Sequence, residues 1–431
     1  RGGAHARAAA FYTSAALLAL EGNDFVAAKA RADRAIQAGS GDKEEVGRLE
    51  LLIAEASRWS GEHGAAREHA RAAMQVLPPC SDDWYVATAE AIEAAMTLGA
   101  VGEARGVAEQ LHALLPGAPL TAARAIATSR IAMALGVVGL YEIADALLAP
   151  IEAAGDFVAR EPAARAFLLA AQQARAARDG DLERAAKLAQ SAVVCFDLLG
   201  DARQAARQRQ TAGWVLTDLG AYAIAETVLC EARDDADRLG LSTLANDAKL
   251  RLGYLYQRTN RPEEAIRTTT EAIEGFAVQR DRVGEGRARA YLAGVHYFAG
   301  ELDKAEEEEL RALPLLEHSP PHLAALMAFM TLTLLHKGAP ADTVYIAGAE
   351  ALRLLEQVGG VAEGEALIRV AYAEALHLKG DTEGAKQAIL AARDRLLARA
   401  ARIENPEYKR SFLGVVREHA RTLMRAGEWL V

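Results

Sequence analysis

The amino-acid sequence predicts an all-α chain: an α-α superhelix built as a solenoid of about ten helical hairpins, plus a C-terminal capping helix. Three observations predict it. First, a two-helix pattern recurs with a period near 40 residues: Arg203–Ala232 (RQAARQRQTAGWVLTDLGAYAIAETVLCEA), Asn246–Ala272 (NDAKLRLGYLYQRTNRPEEAIRTTTEA) and Gly286–Ala312 (GRARAYLAGVHYFAGELDKAEEEELRA) share one grammar. Paired amphipathic runs at this spacing mark a helical-repeat solenoid, which grows by adding units rather than separate cores. Second, each hairpin carries a turn residue followed five positions later by a small residue. Third, β-branched runs bounded by turn residues, the mark of strands, are missing.

Taken in order, the expected turns fall at Asn23, Gly61, Gly99, Gly139, Gly180, Gly220, Asn260, Gly300, Ala339 and Gly380, with spacings of 38 to 41 residues. The fifth residue after each is Ala28, Ala66, Ala104, Ala144, Ala185, Ala225, Ala265, Ala305, Val344 and Ala385. So regular a run of methyl groups marks where the second helix of a pair crosses the first too closely for a larger side chain. Seven residues before the turn the first helix is usually small too: Ala16, Ala54, Ala132, Gly213, Gly253, Ala293 and Ala373. Glycine inside a helix costs about 1 kcal/mol against alanine, so close helix contact is the best reason for Gly213 and Gly253. Ile92, Gln173 and Leu332 break the pattern, and those pairs are expected to splay or rotate.

This pattern resembles the tetratricopeptide repeat. The matching residues are Gly213, Gly220, Tyr222, Ala225 and Ala232 in one unit, then Leu252, Gly253, Tyr256, Ala265 and Ala272 in the next, with Pro78 and Pro116 closing two earlier units. The resemblance covers residues 9 to about 400. The long period and linkers such as Leu199-Gly200-Asp201 are similar to the variety found in bacterial signalling proteins and kinesin light chains. The domains expected are a repeat array over residues 1–400 and a capping helix over 401–431. In the latter, Asn405-Pro406-Glu407 reads as cap, first helical position and acid facing the dipole. The run Asn405–Leu413 also resembles the C-terminal end of bacterial serine/threonine kinases, which implies a catalytic domain N-terminal to the array in the same polypeptide. Arg1 is not an initiating methionine, and the chain is expected to be a piece of something longer.

Charge and composition narrow the partners. Lys plus Arg number 49 against 59 Asp plus Glu, a net charge of −10, which argues against nucleic acid as the main partner. The uncharged run near Ile131–Tyr141 is too short to span a bilayer, and no membrane is expected. Cys80, Cys195 and Cys230 are odd in number, widely spaced and set in apolar runs, as small hydrophobes in a reducing cytoplasm would be. No phosphate loop, HExxH or GxSxG occurs, so no catalytic residue, cofactor or metal site is expected. His318 and His322, separated by Pro320-Pro321, read as a linker pair exposed to water. Glu306–Glu309 reads as a solvated outer face, and Arg393, Arg395, Arg399 and Arg402 as one edge of a charged cap.

The informative surface is the inward one. In tetratricopeptide arrays it is lined by the first helix of each pair. In the middle units, the face opposite the packing residue carries Arg207, Gln210, Trp214 and Asp218, then Asp247, Arg251, Tyr254 and Arg258, then Arg287, Tyr291 and Tyr297. Equivalent places in earlier units hold mostly Ala, Leu and Met. Arg, Trp and Tyr dominate binding hot spots because they are large and hydrogen-bond at their tips. Two readings stay open. One is a groove for a protein or peptide, in the regulatory or sensor part of a larger bacterial signalling protein such as a kinase or ATPase. The other is a receptor site for a small ligand or signal peptide. The aromatics could instead fill space between units. The Lys/Asn pair that tetratricopeptide clamps use for chaperone tails is not matched at Gln210/Trp214, Leu250/Tyr254 or Phe329/Thr333.

Overall fold

A computed structural model describes residues 2–39, 42–361 and 363–430, and among them every regular element is an α-helix. In chain order these are α1 (Gly2–Glu21), α2 (Phe25–Gln37), α3 (Lys43–Trp59), α4 (His63–Val76), α5 (Asp82–Thr97), α6 (Val101–Leu114), α7 (Ala122–Val137), α8 (Tyr141–Ala153), α9 (Gly155–Arg160) and α10 (Pro162–Arg178). Then follow α11 (Leu182–Leu198), α12 (Ala202–Asp218), α13 (Tyr222–Arg238), α14 (Ser242–Arg258), α15 (Pro262–Val278), α16 (Arg282–Phe298) and α17 (Leu302–Leu316). The last are α18 (Pro320–His336), α19 (Ala341–Gln357), α20 (Glu365–Leu378), α21 (Thr382–Ala401), α22 (Pro406–Gly414) and α23 (Arg417–Trp429).

The hairpin grammar is realised almost residue for residue. Nine expected turns lie at a residue with positive φ, from Asn23 at 61° to Gly380 at 85°. The tenth moves by one position: Gly338 takes φ 71°, and Pro340 then caps α19. Alanine resists the left-handed region that glycine enters freely, so the turn shifts from Ala339 to its neighbour. The ten small residues after the turns are all buried, at 4% exposure or less. A Cβ added to Gly213 would sit 2.5 Å from Leu229 Cγ, the close helix approach expected there.

Two compact units partition the chain. The first takes residues up to Gln172 with Ser191–Ala205 and Ala236–Thr243. Its helices pack in sequence and also against their next-but-one neighbours, α3 on α5 and α5 on α7, around Ile92, Leu111, Ile131, Leu135 and Ile151. The short α9 is an extra element that the repeat pattern does not announce. The second unit takes Gln173–Gln190, Ala206–Asp235 and Leu244 onward. Its core includes Leu216, Leu250, Leu252, Phe276 and, from the C-terminal segment, Phe412.

Several expectations need correction. The C-terminal segment forms two helices rather than one: α22 ends at Gly414 and α23 begins at Arg417, across Val415-Val416. Asn405 caps α22 as expected, accepting from the Glu407 and Tyr408 N–H groups, with Pro406 in the first turn. His318 is exposed, but His322 is half-buried in the first turn of α18, and burial beside the Arg287 and Arg251 guanidiniums pushes it down to about 3. Within Glu306–Glu309, Glu308 and Glu309 are buried, Glu309 accepting from Thr333 Oγ1 at 2.6 Å. The basic edge turns inward as well: Arg395 donates to Glu365, Arg402 to the Asp179 carbonyl, and Arg399 is buried. The three cysteines are free and half-buried. No helix among the described residues is long and apolar enough to cross a membrane.

Candidate binding site

The first helices of three successive hairpins, α12, α14 and α16, present the candidate residues, all within the second unit. On α12, Gln210 and Arg207 lie one and two turns before Trp214, all three half-buried, and Asp218 follows a turn later. On α14, Arg251 sits 5.4 Å from the Trp214 ring centroid. Tyr254 on α14 and Tyr291 on α16 face one another with ring centroids 5.0 Å apart.

Hydrogen bonds knit these residues to acids from further along the chain. Arg251 Nη1 donates to Glu363 Oε2 at 2.5 Å and to the Tyr291 hydroxyl at 3.1 Å, and Tyr291 in turn donates to Glu363. Arg258 donates to the Tyr254 hydroxyl and, at 2.6 Å, to Glu418 Oε1 on α23. Arg287 reaches Asp247 at 3.1 Å. Glu363, in the loop before α20, and Glu418 are thus intramolecular counterions for guanidiniums of the middle hairpins. Sequence reasoning missed both, because nothing in a local window ties a residue to a partner more than a hundred positions away. It also assigned Arg399 and His322 to surfaces.

Tyr297 does not join this cluster. Its hydroxyl accepts from Arg421 at 3.2 Å, and it lines a crevice of about 870 Å³ with Phe298, His336, Met424 and Arg425. Arg421 and Arg425 both donate to the buried Glu374.

Electrostatics follow from burial and proximity. Burial would raise Glu418, but Arg258 and its hydrogen bonds bring the carboxyl down to about 2. Glu363 is likewise held below the ordinary carboxylate value by Arg251 and Tyr291, against the pull of burial. Asp218 goes the other way: burial and the nearby Glu363 push it up to about 8 despite the fields of Arg399, Arg258 and Arg251. At neutral pH the region therefore holds a mostly protonated carboxyl among several guanidiniums. No group of three or more His, Cys, Asp or Glu among the described residues could hold a metal.

The first unit has a charged cluster of its own that the sequence reading passed over. Arg58 and Arg130 flank buried Glu90 at 2.7 and 2.6 Å, and Arg130 also reaches Glu93 at 2.8 Å. Two cations against two anions leave it balanced, as in a structural ion-pair network.

No family model and no curated protein matches the chain. Solved structures do. A Rap protein complexed with competence and sporulation factor aligns with a TM-score of 0.56 and 12% identity, over 81% of this chain and 100% of that one. A signal transduction ATPase with numerous domains, carrying a tetratricopeptide repeat sensor, from Pyrococcus horikoshii, aligns at 0.51 and 16%, over 82% of this chain and 53% of that one. The Rap conjugation gene regulator of plasmid pLS20, in complex with the Phr* peptide, aligns at 0.50 and 12%, over 80% and 96%. The architecture of this chain is thus that of a tetratricopeptide-type helical-repeat solenoid.

Proposed function

We propose that the chain is a non-catalytic binding module whose second unit receives a peptide or protein segment along α12, α14 and α16. The observation that carries this reading is the convergence of Trp214, Asp218, Arg251, Tyr254 and Tyr291 from three successive first helices, all only half-buried. A packed structural core would seal such residues. Here Arg251, Tyr254 and Tyr291 are held by hydrogen bonds, Trp214 lies against Arg251, and all four stay partly exposed, the combination that favours recognition over packing. Two of the similar structures are, by their descriptions, complexes with a peptide or a sporulation factor, and a third carries a tetratricopeptide sensor beside an ATPase. These support the finer reading that the module is the sensor or regulatory part of a larger signalling protein, which we take to be bacterial and cytoplasmic.

The test is a peptide array probed with the wild-type chain and with Trp214→Ala/Arg251→Ala, each checked for fold by circular dichroism and thermal melting. Gln210→Ala serves as a milder second variant. Peptides bound by wild type and lost by the double variant are expected. Equal binding by both, with the fold intact, would move the function elsewhere.

A further inference from the structure

Around Asp218 the hydrogen-bond inventory of the second unit does not close. Three buried N–H donors have no acceptor: Trp214 Nε1, Arg251 Nε and Arg399 Nε. Native interiors rarely leave such groups unpaired, and each one calls for an explanation. The three belong to one neighbourhood. The Arg251 guanidinium lies over the Trp214 ring, Asp218 is one turn beyond Trp214 on α12, and Asp218 feels the charges of both Arg251 and Arg399.

Arg399 is the most exposed to this deficit. Its Cγ and Cδ are pressed against Gly180 and its guanidinium stands 5.9 Å from the Phe412 ring centroid. The nearest carboxylate, Glu365, is 3.9 Å from Nη1 and is already bound by Arg395 at 3.0 Å and Arg369 at 2.9 Å. Burial without a close counterion holds Arg399 below its ordinary value. Arg251, Arg258 and Arg287 each pair with a carboxylate, Glu363, Glu418 and Asp247, whereas Arg399 shares Glu365 with Arg395 and Arg369. Arg399 is thus the cation of this region with the weakest counterion.

We infer that the ligand of the second unit presents a carboxylate, seated between Trp214, Arg251 and Arg399 beside Asp218. This rests on the peptide-binding reading and adds the chemistry of the group received. Two carboxylate oxygens supply acceptors for the three orphaned donors, and the planar group suits the edge of a guanidinium. The protonated Asp218 completes the set by donating its O–H, which a second ionised carboxyl could not do. A purely apolar group would leave every donor unpaired, and a cationic one would in addition be repelled by the guanidiniums. On a peptide, the carboxylate is an Asp or Glu side chain or the free C-terminus.

The experiment uses the full chain and three kinds of probe: hexaglutamate, hexaglutamine with an amidated C-terminus, and inorganic phosphate or citrate alone. Binding is read from tryptophan fluorescence, with Trp214→Phe identifying the signal that belongs to this site, and repeated on an array of mixed peptides. Hexaglutamate is expected to bind and amidated hexaglutamine not to. Arg399→Gln should weaken acidic peptides roughly tenfold or more and leave neutral peptides unchanged. Array peptides that depend on Trp214 and Arg251 but show no acidic preference would overturn the carboxylate inference and leave the peptide reading standing. Phosphate or citrate binding as tightly as hexaglutamate would support the anion chemistry and overturn the peptide reading. No site-dependent binding by any probe would sink both.

Discussion

Arg258 and Glu418 stand 160 positions apart in sequence, and both side chains are nearly inaccessible, at 7% and 9% exposure. Removing one partner of a buried ion pair leaves the other charged and desolvated, at a cost of about 3–5 kcal/mol. Glu418→Gln is therefore expected to lower the urea midpoint of the second unit clearly, whereas Glu307→Gln, whose exposed pair with Arg311 is worth little, should leave it unchanged. Glu309 gives a pH signature. Burial raises its carboxyl to about 7 from an ordinary 4.5, against the pull of the Thr333 hydrogen bond. The folded chain then binds more protons than the unfolded one between those values. Its contribution to stability is complete below about pH 4.5 and is lost as pH rises through 7. Glu309→Gln keeps an acceptor for Thr333 and removes the titration. Its stability relative to wild type should therefore climb between pH 5 and 8, and a constant difference would refute the assignment. At this scale the sequence revealed Trp214, Arg251 and Tyr291 as an unusual inward row. It did not reveal Glu363 or Glu418, because ion pairing across such separations leaves no periodic trace. Glu309 was misread because a run of four acids looks solvated until the partner helix is known.

Helices are where the sequence was most legible, because their signal is local and repeated. A methyl at Ala225 or Ala265, five residues after a turn, reports on one crossing, and ten copies average out the exceptions. The exceptions have causes: Gly338 replaces Ala339 at a turn requiring positive φ, and the C-terminal segment breaks at Val415-Val416 into two helices. A matched pair of substitutions tests the packing argument. Gly213→Ala would drive a Cβ to 2.5 Å from Leu229 Cγ, and overpacking of that kind costs about 1–3 kcal/mol even against a helix-propensity gain near 1. Gly106, in α6, has nothing within 4 Å of the equivalent position, so Gly106→Ala should be neutral or stabilise by up to about 1 kcal/mol. Thermal and chemical denaturation of the two variants should move in opposite directions. If Gly213→Ala is also stabilising, close crossing is not the reason for that glycine.

At the scale of the molecule, the C-terminal helices are bound into the second unit rather than laid across the end of an array. Glu183 accepts from the backbone N–H groups of Glu404 and Asn405 at 2.7 and 2.9 Å, Ser411 packs on Gly220, and Phe412 is buried in the core. Removing residues 406–430 should strip Arg258 of its counterion and speed amide exchange in α14 and α16. Helices α3 to α7, with a core of their own around Ile92 and Ile131, should keep their protection. Period and hairpin number could be read from the sequence at this scale. The division into two units could not, since it depends on which distant surfaces meet. The central claim is that α12, α14 and α16 receive a peptide, and amide-exchange footprinting tests it most directly, comparing the free chain with the chain saturated by its tightest array peptide. Protection concentrated in residues 206–218, 244–258 and 282–298 is the predicted result. Protection confined to the first unit, or to the second helices α13, α15 and α17, would contradict it.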